Sequence, residues 1–498
     1  MDRVSLRHRL LTLLIVATLA GPGCGSNDRK DQSTKGDKPF AGARLVIAVP
    51  PGSNMADRWQ SLLIEWSART GAEAEIKELL VTGDEKPADK EQSAPAVEPD
   101  LMIFPITALP DLNAAGRLAP VPMALQQEES GLQWNDFPRG LVSNVLQKDR
   151  IPVAVPIACP VPVLYYRKDL LAKAGQFPPE TWDDYQRLLD TLDRWAPGLS
   201  AAEPWGEGFR ATMFLARSVA YARHPENFSL LFDIQTGDPL IQSEGWIRGL
   251  DAAMKALPKL HEDSLKASPA DCRRMILEGK VALAVAYETP AGEPSTTAAG
   301  AQSAIARANG ISLGVVRLPG SREVFNRASK RWDPAPNGIN RPSLTAFAGL
   351  AAGVSTKSSD LNAQAAWNLI VTLSDPAVFA AAFSGDERTL CRMSQTEEGR
   401  AWFGAELTDG EGAEFLQATA EALQDARLTP EFPIVRSRAF RTLLAEGLNE
   451  SLNRKTTPAE TLAAVQKSWG KLVEETGRDR LRDSYRRQFG LSEIRTDR

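Results

Sequence analysis

Gly310-Ile311-Ser312-Leu313-Gly314 has the Gly-x-Ser-x-Gly spacing that can present a serine nucleophile. That chemistry needs a strand, a tight turn and a helix, with a histidine base later in the chain. Here Ser312 lies in a strand-like run, and the last histidine, His261, precedes it. The spacing therefore carries no nucleophile. His8, His224 and His261 are the only histidines, and none has a second ligand at zinc spacing. Cys24, Cys159, Cys272 and Cys391 form no Cys-x-x-Cys pair. Asp183-Asp184 follow Thr181-Trp182 at a helix start, where carboxylates meet the positive end of the helix dipole and need no acid–base role. Walker A loops, dinucleotide-binding glycine fingerprints and EF-hand loops are absent. The residue types offer recognition rather than catalysis, with no cofactor and no metal expected.

Alternating strands and helices must position whatever does the recognising. Residues 44–50 (RLVIAVP) read as a buried strand, and Ser53-Asn54 can cap a helix to Thr70. Trp59, Leu62, Leu63 and Trp66 in that helix fall at i, i+3, i+4, i+7, the spacing of one helical face. Strands follow at 73–81 and 100–105, separated by a polar insertion at 82–98, and a short helix spans 109–118. Trp182, Tyr185, Leu188, Leu189 and Leu192 make another stripe. Ser268-Pro269 open a helix, residues 280–287 and 311–318 return to strand, and 350–355 gives one more. Helices over 361–373 and from Thr457-Pro458 onward complete the pattern of an α/β fold.

Composition bounds the rest. A chain of 498 residues with 43% hydrophobic residues can bury a core in two or three domains. A net charge of −5 gives nucleic acid no basic surface to bind. Arg3, Arg7 and Arg9 precede the apolar run 10–20, which is shorter than the roughly 18–20 residues of a membrane span and suits a signal peptide. Small residues lead to Cys24, so residues 1–24 read as a lipoprotein signal ending at a lipidated Cys24. An ordinary signal peptide that happens to contain a cysteine is the alternative. Residues 25–42 begin with a polar stretch that cannot order itself and forms a tether. Export permits a disulfide among Cys159, Cys272 and Cys391, and buried unbridged thiols fit the sequence equally.

Residues 150–189 read RIPVAVPIACPVPVLYYRKDLLAKAGQFPPETWDDYQRLL. The run from Leu164-Tyr165-Tyr166 through Gly175, Pro178-Pro179 and Thr181-Trp182 resembles the signature of the extracellular solute-binding proteins of ABC importers, above all the large sugar-binding family with its maltodextrin binders. Four further segments resemble the same family in the same order: ILEGKVALAVAYE, SLGVVRLPG, GLAAGVSTKSSDLNAQAAWNLIVTLSDP and LNRKTTPAETLAAVQKSW. Together they span about residues 43–475. The resemblance implies a two-lobe periplasmic-binding-protein fold with a hinge and an interlobe ligand cleft. It assigns 43–155 and 284–357 to the first lobe, and 156–283 and 358–498 to the second.

It also implies where ligand contacts should fall. A sugar cleft needs aromatic platforms for C–H faces and polar groups for hydroxyls. Glu203 and Trp205 lie in a loop like the second-lobe segment where maltodextrin binders use a carboxylate and an aromatic residue. Tyr287-Glu288 end a strand where the family places an aromatic cleft residue. Trp332, Asn340 and Arg341 belong to a long loop at 320–342. Ser53 and Asn54 follow the first strand, and Thr107 follows the third. Helix capping, lobe packing or a solvated loop would explain each of these equally well in structural terms. Cys159-Pro160-Val161 put little polarity where relatives carry some.

The expected protein is a monomeric lipoprotein of the cell envelope, anchored on the extracytoplasmic face, not an enzyme. It would capture a sugar or oligosaccharide and deliver it to an ABC transporter permease. The second reading is a binding-fold lipoprotein acting as a ligand sensor or surface adhesion module.

Overall fold

The computed structural model describes residues 38–491, except 54, 80, 82–97, 288–309, 346–348, 376–377, 380–381, 383–388 and 398–406. Cys24, Asn54 and Glu288, with residues 25–37 of the expected tether, lie outside the described residues. Among the described residues no helix is long and apolar enough to cross a membrane.

Two sheets organise the chain. The first has the order Glu73–Glu78, Arg44–Val49, Leu101–Pro105, Leu350–Val354 and Val155–Ala158. Its first three strands run parallel, and Leu350–Val354 runs antiparallel to both of its neighbours. Leu101, Met102, Ile103 and Phe104 are all buried, the unbroken apolar run of a strand covered on both faces. The Met55–Thr70 helix buries Met55, Trp59, Leu63 and Trp66, which is the face its spacing predicts. Trp59 Nε1 donates to the Ala382 carbonyl at 2.9 Å, and Trp66 Nε1 to Asn368 Oδ1 at 2.9 Å. These bonds tie it to the part of the chain carrying the Asp360–Ser374 helix, which packs on the same sheet.

The second sheet has the order Leu313–Arg317, Pro162–Arg167, Val281–Tyr287 and Ser200–Ala202. Side chains alternate across its faces. Val163 and Tyr165 join the core that includes Cys272, Ile276, Phe415 and Leu416. Leu164 and Tyr166 join the opposite core, with Trp182, Phe214, Trp246 and Trp469. The second half is therefore three layers deep.

The helix starts read from sequence are present with their caps. Thr181 with Asp184, Ser268 with Asp271, and Thr457 with Glu460 each form a reciprocal capping box. Asp184 thus caps a helix. Ser312 sits at the mouth of an antiparallel strand, its carbonyl accepting from Lys168 N at 2.8 Å, with no following helix to make a nucleophile elbow. Among the described residues no cluster of acidic, histidine and cysteine side chains could hold a metal. Cys159, Cys272 and Cys391 are buried and unbridged, and burial pushes all three thiols up.

Two features differ from expectation. Part of the expected 320–342 loop is a hairpin, Glu323–Asn326 against Arg331–Pro334. Sheet membership also cuts across the expected lobe parcels. Leu313–Arg317, assigned to the first lobe, pairs with Pro162–Arg167 of the second sheet. The Asp360–Ser374 helix, assigned to the second, packs on Arg44–Val49 and Leu350–Val354. Local sequence fixes an element's type, whereas its sheet partner is a long-range choice.

Candidate functional site

A cavity of about 540 Å³ opens between the two halves. Trp134 and Val142 in its wall pack with the first-sheet core, and Leu230 and Tyr485 belong to the second. A volume within the roughly 300–1,000 Å³ of small-molecule sites, placed between two bodies, suits a ligand.

Each side chain in the wall is held by its own local structure. Trp134 packs edge-on against Phe137, with ring centroids 5.7 Å apart. Arg392 braces this segment, lying 4.0 Å over Phe137 and donating to the Leu132 carbonyl at 2.9 Å. Arg150 sits in the tight turn of the Gln147–Lys148 and Ile151–Pro152 hairpin. Asp149 and Arg150 have φ of 51° and 67°, the left-handed pair that a two-residue turn demands. On the other wall, Arg223 caps the Arg210–Ala222 helix through its backbone N–H.

The aromatic part of that wall comes from distant segments. Tyr485, on the Arg478–Gln488 helix, accepts from the N–H groups of Leu230 and Leu231 at 3.3 Å each. Its ring meets Phe489 edge-on at 5.0 Å. Burial raises the Tyr485 phenol, keeping it protonated. Phe228 is 61% exposed beside them, an apolar ring already facing water. Phe228 and Phe489 can stack on the C–H face of a sugar ring, while Gln147 and Gln488 supply amides.

The sequence-expected residues lie elsewhere. Trp205 and Glu203 have no exposed surface. Trp205 Nε1 donates to Glu203 Oε2 at 3.0 Å, and Arg217 Nη1 donates to Glu203 Oε1 at 2.6 Å. The platform expected at Trp205 and the acceptor expected at Glu203 are corrected to a buried core network, because both functional groups are already satisfied away from any opening. Asn340 is also fully buried, donating to the carbonyls of Ala220 at 2.7 Å and Arg223 at 3.2 Å. It locks the 320–342 segment onto a helix end, so its expected ligand role is likewise corrected.

Arg341 donates to the Glu180 carbonyl at 2.8 Å and borders a void of about 20 Å³. That is room for one water rather than a sugar. Trp332 sits under Arg248, 5.3 Å from the guanidinium, and against Phe325 at 5.5 Å. Ser53 closes a turn after the first strand, and its Oγ is buried without a partner among the described residues. The Thr107 carbonyl accepts from Ser437 Oγ at 2.8 Å, beside Asp111, whose carboxylate takes the Arg436 N–H at 2.9 Å. These bonds join the two halves. Tyr287 contributes backbone pairing opposite Pro162.

Sequence reasoning did not single out Trp134, Arg150, Arg223, Phe228, Tyr485 or Phe489. Asp149-Arg150 between two short extended runs was a usable turn signal; the others carry none.

A family model for bacterial extracellular solute-binding proteins matches residues 82–390. Among solved structures, an ABC transporter solute-binding protein from Agrobacterium radiobacter K84 in complex with ribitol is 16% identical. It is covered over 100% of its length and 87% of this chain, with a TM-score of 0.60. The sugar-binding protein MalE from Xanthomonas citri is 16% identical, covering 87% of this chain and 98% of its own, at a TM-score of 0.60. Maltose-bound MalE3 from T. maritima is 17% identical, covering 86% of this chain and 100% of its own, at 0.57.

Proposed function

The chain belongs to the bacterial extracellular solute-binding proteins, and from that premise we propose that it captures a carbohydrate-like ligand between its two halves and delivers it to an ABC transporter permease. The fold is the two-lobe one of periplasmic binding proteins. The observation that carries the ligand class is the cavity of about 540 Å³ with aromatic rings on both walls. Solved proteins of the same fold include one in complex with ribitol, one bound to maltose and one described as a sugar-binding protein, which supports the same class here. Binding would draw the two walls together, since each supplies only part of the lining and such folds move as hinged bodies. Ser53, Thr107, Tyr287, Trp332 and Arg341 remain proposed ligand contacts, as do Asn54 and Glu288, which lie outside the described residues. Chemistry on the ligand is not part of this role.

The test is a thermal-shift screen of the full chain in mild detergent against sugars, polyols and sugar phosphates. A ligand at a hundredfold excess over its Kd stabilises the folded state by about 2.7 kcal/mol, which raises Tm measurably. No shift with any of them would overturn the carbohydrate reading.

The protein is further proposed to be a monomer held at the extracytoplasmic face of the cell envelope by a lipid on Cys24. A fatty-acid probe should label the wild type and leave Cys24→Ser unlabelled. A labelled, membrane-sedimenting Cys24→Ser protein would refute the anchor.

A further inference from the structure

The charged groups in the cavity wall are Arg150 and Arg223, with no carboxylate among the described lining residues. A site for a neutral sugar must accept hydrogen bonds from hydroxyls as well as donate them, a task that carboxylates perform well. This wall is rich in donors instead. Tyr485, which could accept, already takes two backbone N–H groups.

Arg223 makes the imbalance sharper. Its Nη1 donates to the Asn227 carbonyl at 3.5 Å, and among the described residues no carboxylate lies within ion-pair distance. Its surroundings dehydrate it enough to lower its proton affinity. Nearby acids are committed elsewhere. Asp425 pairs with Arg317 at 3.1 Å and with Arg427 at 3.8 Å, and Asp333 takes His224 at 3.2 Å. Asp425 therefore gives Arg223 only a longer-range attraction. A partly dehydrated cation without an ion-paired counter-charge is costly, and an anion entering the cavity would supply one.

Arg150 adds a second cation from the opposite wall. The guanidinium side chain is seated against Gly490, where an added Cβ would come within 2.7 Å of its Nε. No carboxylate among the described residues pairs with it either.

We propose that the ligand of this cavity is a saccharide bearing an anionic group, a carboxylate or a phosphate ester, held between Arg150 and Arg223 with its ring against Phe228 and Phe489. This rests on the cavity being the carbohydrate site, and it goes further by fixing the ligand's charge.

Calorimetric titration of the full chain in mild detergent tests it with galacturonate and digalacturonate, glucose 6-phosphate, and the neutral galactose, maltose and ribitol. At least one anionic saccharide should bind about tenfold or more tighter than its neutral counterpart. The uronate and phosphate arms identify the anion. Its affinity should fall with added NaCl. Arg223→Met should weaken it by about ten- to a hundredfold, the usual loss for a charge-assisted hydrogen bond. Arg150→Asn should also weaken it; it keeps a residue that tolerates the left-handed turn, so folding is preserved even if Arg223→Met is unstable. Neutral sugars that bind as tightly as acidic ones, or an acidic-sugar affinity that ignores both substitutions, would overturn the charge assignment and leave the carbohydrate reading intact. Absence of binding by every saccharide would overturn both.

Discussion

Replacing Glu203 with alanine is expected to destabilise the fold by about 3–5 kcal/mol, the cost of leaving a buried charge without its partner. Glu203 and Arg217 are both fully buried, at 2.6 Å from Oε1 to Nη1. Once the carboxylate is gone, Arg217 keeps one backbone acceptor, the Ala252 carbonyl at 3.2 Å, and the faces of Trp182 and Tyr185 at 4.2 and 5.3 Å. Those aromatic faces hold a cation less well than a carboxylate does. Urea unfolding of the wild type and Glu203→Ala measures the loss. Glu203→Leu combined with Arg217→Met should recover much of it, because apolar replacement of a whole buried pair removes the desolvation cost as well. A single-variant loss below about 1 kcal/mol would mean that Arg217 finds another partner, and the network reading would fail.

Trp205→Ala should be almost as damaging, at about 3–5 kcal/mol, the range for removing a large core aromatic. Its ring is enclosed with Trp182, Phe214 and Trp246 in the second core. Its backbone N–H donates to the carbonyls of Glu203 and Ser264, both at 3.0 Å. The folded fraction of Trp205→Ala should bind saccharide with unchanged affinity, because the cavity wall does not include this ring. A stable Trp205→Ala protein that has lost binding would restore the ligand platform first expected at this position. Stability and binding thus separate the two roles cleanly.

The local sequence carried much of the architecture. The Met55–Thr70 face and the capping boxes at Thr181, Ser268 and Thr457 were legible, because their causes lie within one or two helical turns. The hairpin at 323–334 was not. Asn326 and Asp333 bond across it at 2.9 Å, and Phe325 faces Trp332, yet its four-residue turn contains no Gly or Asn-Gly pair to announce it.

What the sequence determined by itself is the family and the kinds of element, since ordered motifs and side-chain periodicity are properties of neighbouring residues. Only the tertiary structure decided which polar and aromatic groups face a ligand. Glu203-Pro204-Trp205 reads the same whether its ring points outward or inward. Arg217, fourteen positions on, turns it inward by offering the buried carboxylate a counter-charge. The cavity's Trp134, Arg150, Arg223, Phe228 and Tyr485 share no spacing that a linear reading could recognise. They converge because two separately built cores meet there, and where bodies meet is set by the packing of whole surfaces rather than by any short run of residues.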